Sequence, residues 1–158
     1  MPRVYIETTI VGYLASRPRN DVIFQARQEL TRMWWDARRP QYEIVVSQLV
    51  LDEASAGDDE AAAERLELLR DASLLDITRP EIDLIADALL AAHLLPAKAR
   101  SDAVHVATAT VHGVEYLLTW NCKHIANAAT LPRVYRLLTD LGYSPPLIVT
   151  PEEFSENV

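Results

Sequence analysis

The chain has 158 residues, 49% of them hydrophobic, with 23 acidic against 15 basic residues and a formal net charge of -8. That length suits one domain burying roughly two-thirds of the surface its unfolded chain exposes, with no need of a disulfide or structural metal, while the negative charge argues against binding nucleic acid through bulk positive potential. The single cysteine, Cys122, rules out an internal disulfide, and no apolar leader or uncharged membrane-length stretch is read; a cytoplasmic protein without membrane attachment is expected.

The run Val4-Tyr5-Ile6 reads as a central buried strand, followed by a short helix over Thr8 to Ala15 and a turn at Arg17-Pro18-Arg19-Asn20. Ile23, Ala26, Leu30, Met33, Trp34 and Ala37 recur at helical spacing until Arg38, and Pro40 closes that helix. Trp34 and Trp35 lie about 100° apart around it, so one indole marks either a partner surface or the edge of a wide core face. Glu43 to Ser47 is β-branched and extended, and a short helix carrying Leu49, Val50 and Glu53 stops at Ala56-Gly57.

Asp58 to Asp71 has helical composition, with Leu66, Leu69 and Ala62 facing inward, and a strand is expected over Leu74 to Ile77. Thr78 is placed to cap the next helix, which has Pro80 in its first turn and runs to Leu95-Pro96. The later elements are a helix over Ser101 to His112, a strand over Tyr116 to Thr119, helices over Cys122 to Ala129 and Pro132 to Leu141, and a strand over Leu147 to Val149. Thr150-Pro151-Glu152-Glu153 has the form of a cap. The alternation of helices with short buried strands calls for an α/β fold with a mainly parallel sheet covered on both faces. A single domain over residues 1–154 is expected, with 155–158 a frayed tail.

Glu7, Glu53, Asp102 and Asn121 stand where apolar segments end or turn. In open α/β sheets the reacting groups gather at the carboxyl ends of strands. Taken singly, Glu7 and Asp102 are equally well explained as acids that complement a helix dipole; the set of four is the stronger observation. Oxygen donors from separate segments suit a hard cation such as Mg2+ or Mn2+ better than a histidine cluster does. Such an ion activates water and offsets the charge of a phosphodiester under attack. Basic residues flank the set: Arg17 and Arg19 follow Glu7, Lys98 and Arg100 precede Asp102, and Lys123 follows Asn121. Arg100 and Lys123 are the candidate substrate-binding residues, against the alternative of solvated loop charges. His105 shares a helix face with Asp102 and is more readily read as a packed or supporting residue than as a catalytic one. Cys122, His124, His93 and His112 have weaker claims, and Cys122-Lys123-His124 lacks the second half of a zinc site.

These pieces resemble the PIN-domain ribonucleases, particularly the VapC-like toxins of toxin-antitoxin pairs. The matching segments span nearly the whole chain: Val4-Tyr5-Ile6-Glu7-Thr8-Thr9, Ser47 through Glu53, Ser101-Asp102-Ala103-Val104-His105-Val106-Ala107-Thr108-Ala109, Leu117-Leu118-Thr119-Trp120-Asn121 and Val149-Thr150-Pro151-Glu152-Glu153-Phe154. The resemblance implies a three-layer α/β/α sandwich, Mg2+- or Mn2+-dependent RNA cleavage by Glu7, Glu53, Asp102 and Asn121, a homodimer and a cognate antitoxin. Two positions depart from the family pattern, which usually has aspartate at the first and often aspartate at the last. Glu7 keeps the charge on a longer arm, whereas Asn121 removes a charge and keeps a carbonyl.

Three readings follow. The leading one is a metal-dependent endoribonuclease, the toxin of a type II toxin-antitoxin module. Asn121 motivates the second, a catalytically weakened PIN-like RNA-binding or protein-interaction module. The third, a phosphohydrolase of another α/β family, is disfavoured because Glu7-Thr8-Thr9 lacks the aspartate nucleophile of the common phosphoaspartyl enzymes.

Overall fold

A computed structural model describes residues 1–155. Five parallel strands form one sheet in the order β3-β2-β1-β4-β5: β1 (Arg3–Ile6), β2 (Glu43–Ser47), β3 (Ser73–Leu75), β4 (Tyr116–Leu118) and β5 (Leu147–Val149). The register sets Tyr5 beside Val45 on one side and Leu117 on the other. The central strand is sealed on both faces, with Val4, Tyr5 and Ile6 all fully buried. Such burial explains why β1 reads as an uninterrupted apolar run rather than an alternating one.

The crossovers are α1 (Thr8–Ala15), α2 (Val22–Ala37), α3 (Gln48–Ala54), α4 (Asp59–Leu68), α5 (Pro80–Ala91), α6 (Arg100–Val111) and α7 (Leu131–Asp140). α1 packs against α2, α3 and α4, while α5 packs against α6 and α7. Parallel connections are right-handed, so chain progress β1 to β2 to β3 in one direction and β4 to β5 in the other puts the two helix groups on opposite faces. The result is a three-layer α/β/α sandwich. The direction reverses between β1 and β4, and such a switch point opens a crevice at the carboxyl edge of the sheet.

Several boundaries differ from the sequence reading for identifiable reasons. Cys122 to Ala129 forms consecutive turns instead of a helix. The side chains of Asn121 and Asn127 accept from the backbone N–H groups of His124 (3.0 Å) and Ala129 (2.9 Å), competing with helical bonds. The helix expected to Asp71 ends at Leu68, where the N–H groups of Leu69 and Arg70 turn to carbonyls three residues back. Ala62 and Leu69 are buried as expected, but Leu66 is exposed. Thr78 does not cap α5: its N–H and hydroxyl both bond Asp76 (2.8 and 2.7 Å), and α5 opens with Pro80, which has no N–H to satisfy. That helix also stops at Ala91, short of Leu95. Both Trp34 and Trp35 are buried, with Trp34 stacked on Tyr42 and Phe154 and the Arg39 guanidinium lying over Trp35. Thr150 and Glu153 bond each other's backbone N–H in a reciprocal cap. Of the expected tail, Ser155 is exposed and 156–158 lie outside the described residues.

Candidate metal centre

β1 delivers Glu7 to the carboxyl edge, where extended backbone makes it the N-cap of α1. Its Oε1 accepts from the Thr9 N–H at 3.2 Å, from the Thr9 hydroxyl, and from the Thr119 hydroxyl at 2.6 Å. No hydrogen bond among the described residues reaches its Oε2. Burial pushes the Glu7 carboxyl above its ordinary range, against the opposing pull of His105 and of its threonine donors. Glu7 therefore serves the helix terminus and still presents an oxygen.

Glu53 comes from α3, after β2. Its Oε1 accepts from the Thr8 hydroxyl at 2.6 Å and meets His105 Nε2 at 2.6 Å, leaving Oε2 without a partner among the described residues. Burial raises this carboxyl, but the bonds and charge of His105 together with Thr8 outweigh it, and Glu53 is held below the usual carboxylate range. The fully buried His105 ring continues inward, from Nδ1 to the Tyr5 hydroxyl at 2.7 Å, and Tyr5 meets the Ser47 hydroxyl at 2.8 Å. An ionised Glu53 only accepts, so Nε2 carries a proton and donates to it; when the ring is neutral, Nδ1 accepts from Tyr5 and Tyr5 accepts from Ser47. Every member of this chain is satisfied.

Asp102 and Asn121 form the other side. Asp102 opens α6 and its Oδ2 meets His124 Nδ1 at 2.9 Å; the His124 N–H donates to Asn121 Oδ1 at 3.0 Å. The Asn121 N–H in turn donates to the Thr119 hydroxyl at 2.9 Å, and that hydroxyl donates to Glu7. Hydrogen bonds thus connect Asp102 to Glu7 through His124, Asn121 and Thr119. One turn along α6, His105 holds Glu53.

One ligand atom each of Glu7, Glu53 and His105 lies within 4.8 Å of the others. Both nitrogens of His105 are already engaged, so the free donors of this trio are carboxylate oxygens. Two carboxylates this close, one of them buried, repel when both are ionised, and a cation between them offsets that repulsion. The donor set fits a hard divalent ion, which takes oxygen ligands and keeps waters. Asp102 also has one oxygen without a hydrogen-bond partner among the described residues, whereas Asn121 spends its carbonyl on the turn.

The expected substrate-binding residues are placed differently from one another. Arg100 begins α6 with its guanidinium on Asp87 (2.5 Å) and Asp83 (3.2 Å) of α5, while Lys123 lies in the turn between Asn121 and His124. His105 is the packed, supporting residue that the sequence reading made it, whereas His124 was undervalued. His105 carried a signal, as a polar residue on a helix buried from Ala103 through Thr110 apart from the half-buried Val104. His124 carried none, because its bond to Asp102 spans 22 residues.

No protein-family model matches the sequence, and no curated protein is significantly similar to it. Solved structures do match in shape. A chain of the VapBC2 complex of Rickettsia felis, bound to a DNA fragment from its promoter, aligns over 94% of this chain and 98% of its own with a TM-score of 0.54 and 14% identity. A toxin-antitoxin complex from Klebsiella pneumoniae gives 94% and 97% coverage, a TM-score of 0.59 and 19% identity. FitAcB from Neisseria gonorrhoeae gives 96% and 99%, 0.57 and 15%. The five-stranded order, the helices on both faces and these end-to-end matches establish that the chain has the PIN-like fold of VapC-type toxins.

Proposed function

We propose that the protein is a metal-dependent endoribonuclease, the toxin of a type II toxin-antitoxin module. The observation that carries this reading is the cluster of Glu7 and Glu53 with His105, whose ligand atoms lie within 4.8 Å of one another, while Asp102 stands outside that cluster and is tied to Glu7 through His124, Asn121 and Thr119; among the described residues each of the three acids keeps one oxygen without a hydrogen-bond partner. When bound there, Mg2+ or Mn2+ supplies water activation and charge offset at the scissile phosphodiester. Glu7 and Glu53 hold the ion from the β1 and β2 side, and Asp102 completes the set from α6. Thr8 and His105 fix the Glu53 carboxylate; Thr9 and Thr119 fix Glu7. Lys123 draws the RNA backbone toward the cleft, as does Arg100 when phosphate replaces its carboxylate partners. A homodimer in the cytoplasm and a cognate antitoxin complete the proposal, and the toxin-antitoxin complexes that share the fold support the antitoxin. Among the described residues no helix is long and apolar enough to cross a membrane.

Asn121 supports a second reading. Its carbonyl already accepts from His124, so the fourth position is weak and the chain is an RNA-binding or protein-interaction module with reduced catalysis. RNA cleavage in Mg2+ or Mn2+, with and without chelator, separates the two. The nuclease reading expects cleavage that stops with chelator and that Asp102→Asn reduces at least about 100-fold without unfolding the chain. Cleavage unchanged by both treatments would overturn it.

A further inference from the structure

Arginines and aromatic rings interleave outward from the candidate centre. The Arg27 guanidinium lies 5.0 Å from the Trp120 ring, Trp120 lies 6.0 Å from Tyr13, Tyr13 lies 4.9 Å from Phe24 at an angle of 31°, and the Arg19 guanidinium covers Phe24 at 4.5 Å. The ladder starts beside Asn121 and is tied to Glu7, because Thr9 receives the Trp120 N–H at 2.9 Å and donates to the Glu7 carboxylate. Its outer end lines a cleft of about 810 Å³ that Thr9, the residue bonded to Glu7, also lines. Phe24 is half-buried, Arg19 is exposed, and Phe24 takes no part in the hydrophobic core. This half-buried ring and its exposed arginine lean on Tyr13 at the edge of the core and form no part of the core itself.

We propose that this outer step, Arg19 on Phe24 with Tyr13 behind, is a subsite that stacks one unpaired nucleobase of the RNA beside the cleavage centre. Planar guanidinium and aromatic faces bind any base through its π-face, and their positive charge tracks the adjoining phosphate. The facing wall carries Asp58, Glu60 and Glu64 together with Arg65, and with Arg17 and Arg19 the charges of the cleft balance, so it offers a phosphate chain no net attraction. A neutral base fits between these walls; a duplex, whose bases are paired inside two charged backbones, does not. The inference rests on the ribonuclease reading and deepens it.

Its test uses the full chain carrying Asp102→Asn, in magnesium, with a labelled single-stranded RNA decamer and a blunt duplex of equal length followed by fluorescence anisotropy. The single strand should bind more tightly than the duplex. Phe24→Ala and Arg19→Ala should each weaken its binding about tenfold, the loss typical of one stacking partner, while Phe24→Trp retains it. Unchanged single-strand affinity in both alanine variants overturns the subsite, as does equal loss for the duplex. If RNA affinity holds while Phe24→Ala abolishes inhibition by the cognate antitoxin, the ladder belongs to a protein partner and the proposal fails. Cleavage by the wild type reports separately on the parent reading. A cleaving wild type beside an unaffected Phe24→Ala removes only the subsite, and a weakened Phe24→Ala beside a wild type that never cleaves removes only the nuclease.

Discussion

The two sides of the candidate centre are built from different materials. On the Glu53 side, every support belongs to a regular element: Thr8 of α1, His105 of α6, Tyr5 of β1 and Ser47 of β2, ending in fully buried groups. On the Asp102 side, the support is His124 in a run of turns, 21% exposed where His105 is fully buried, although the Asp102 side chain itself, at 18%, is less exposed than that of Glu53, at 33%. A carboxylate held by buried, fully satisfied partners is positioned by the fold itself. One held by a surface turn is positioned by a few local bonds, and those bonds are free to exchange when ligand arrives. The first side should therefore respond to mutation chiefly in stability, the second chiefly in activity.

The largest effect is expected from His105→Ala. It strips Glu53 and Tyr5 of a partner and leaves a cavity, at a cost of about 2–4 kcal/mol in urea unfolding. His124→Ala should cost less than about 1 kcal/mol, because its bond to Asp102 is partly hydrated, while RNA cleavage falls strongly as Asp102 loses its support. Equal destabilisation by both variants would erase the contrast.

Asn121 offers a sharper cut. Asn121→Ala removes the acceptor for the His124 N–H and should cost about 1 kcal/mol along with activity. Asn121→Asp keeps that acceptor and adds a charge, so it should lower the magnesium concentration needed for half-maximal cleavage severalfold. A magnesium requirement unchanged in Asn121→Asp would exclude the fourth position from cation binding.

The smallest effect comes from a remote turn of the same kind. Asp76 binds the Thr78 N–H and hydroxyl, and these bonds hold its carboxyl below the ordinary range. A depressed folded pKa contributes stability that is present above the unfolded value of 3.8 and is lost as pH falls through the lower folded value. Asp76→Ala should therefore lower the urea midpoint slightly at pH 7, and the gap should narrow as acid approaches that window. A gap that widens in acid would contradict the assignment. The measurement gives a baseline for such a turn where no chemistry is attached.

The contrast between the two sides also explains what could be read from the sequence. The bounds of α1, β2 and β5 follow from local patterns, because buried strands make uninterrupted apolar runs and short helices end at clear breakers. The four candidate site residues were recognisable as polar groups where apolar segments end or turn, Glu7 and Asn121 after β1 and β4, Glu53 near the end of α3 and Asp102 in the first turn of α6. The supports were not: Glu53 to His105 spans 52 residues and His124 to Asp102 spans 22. Arg100 looked like a free cation beside Asp102, yet its partners lie 13 and 17 residues away on α5. The region from Cys122 to Ala129 was read as a helix and forms turns. The two asparagines that divert its backbone bonds act through side-chain geometry that composition does not reveal.

Both sides should converge on one cation, and thermal melts across a magnesium or manganese titration at constant ionic strength test that directly in the wild type, Glu53→Gln and Asp102→Asn. An ion bound only by the native state raises the melting temperature saturably, as mass action requires. The wild type should show that rise and both variants should lose most of it, with Asp102→Asn melting at or above the wild type when no metal is present because one repelling charge has gone. A wild type unmoved by metal, or a full rise retained in either variant, would contradict a single centre shared by the two sides.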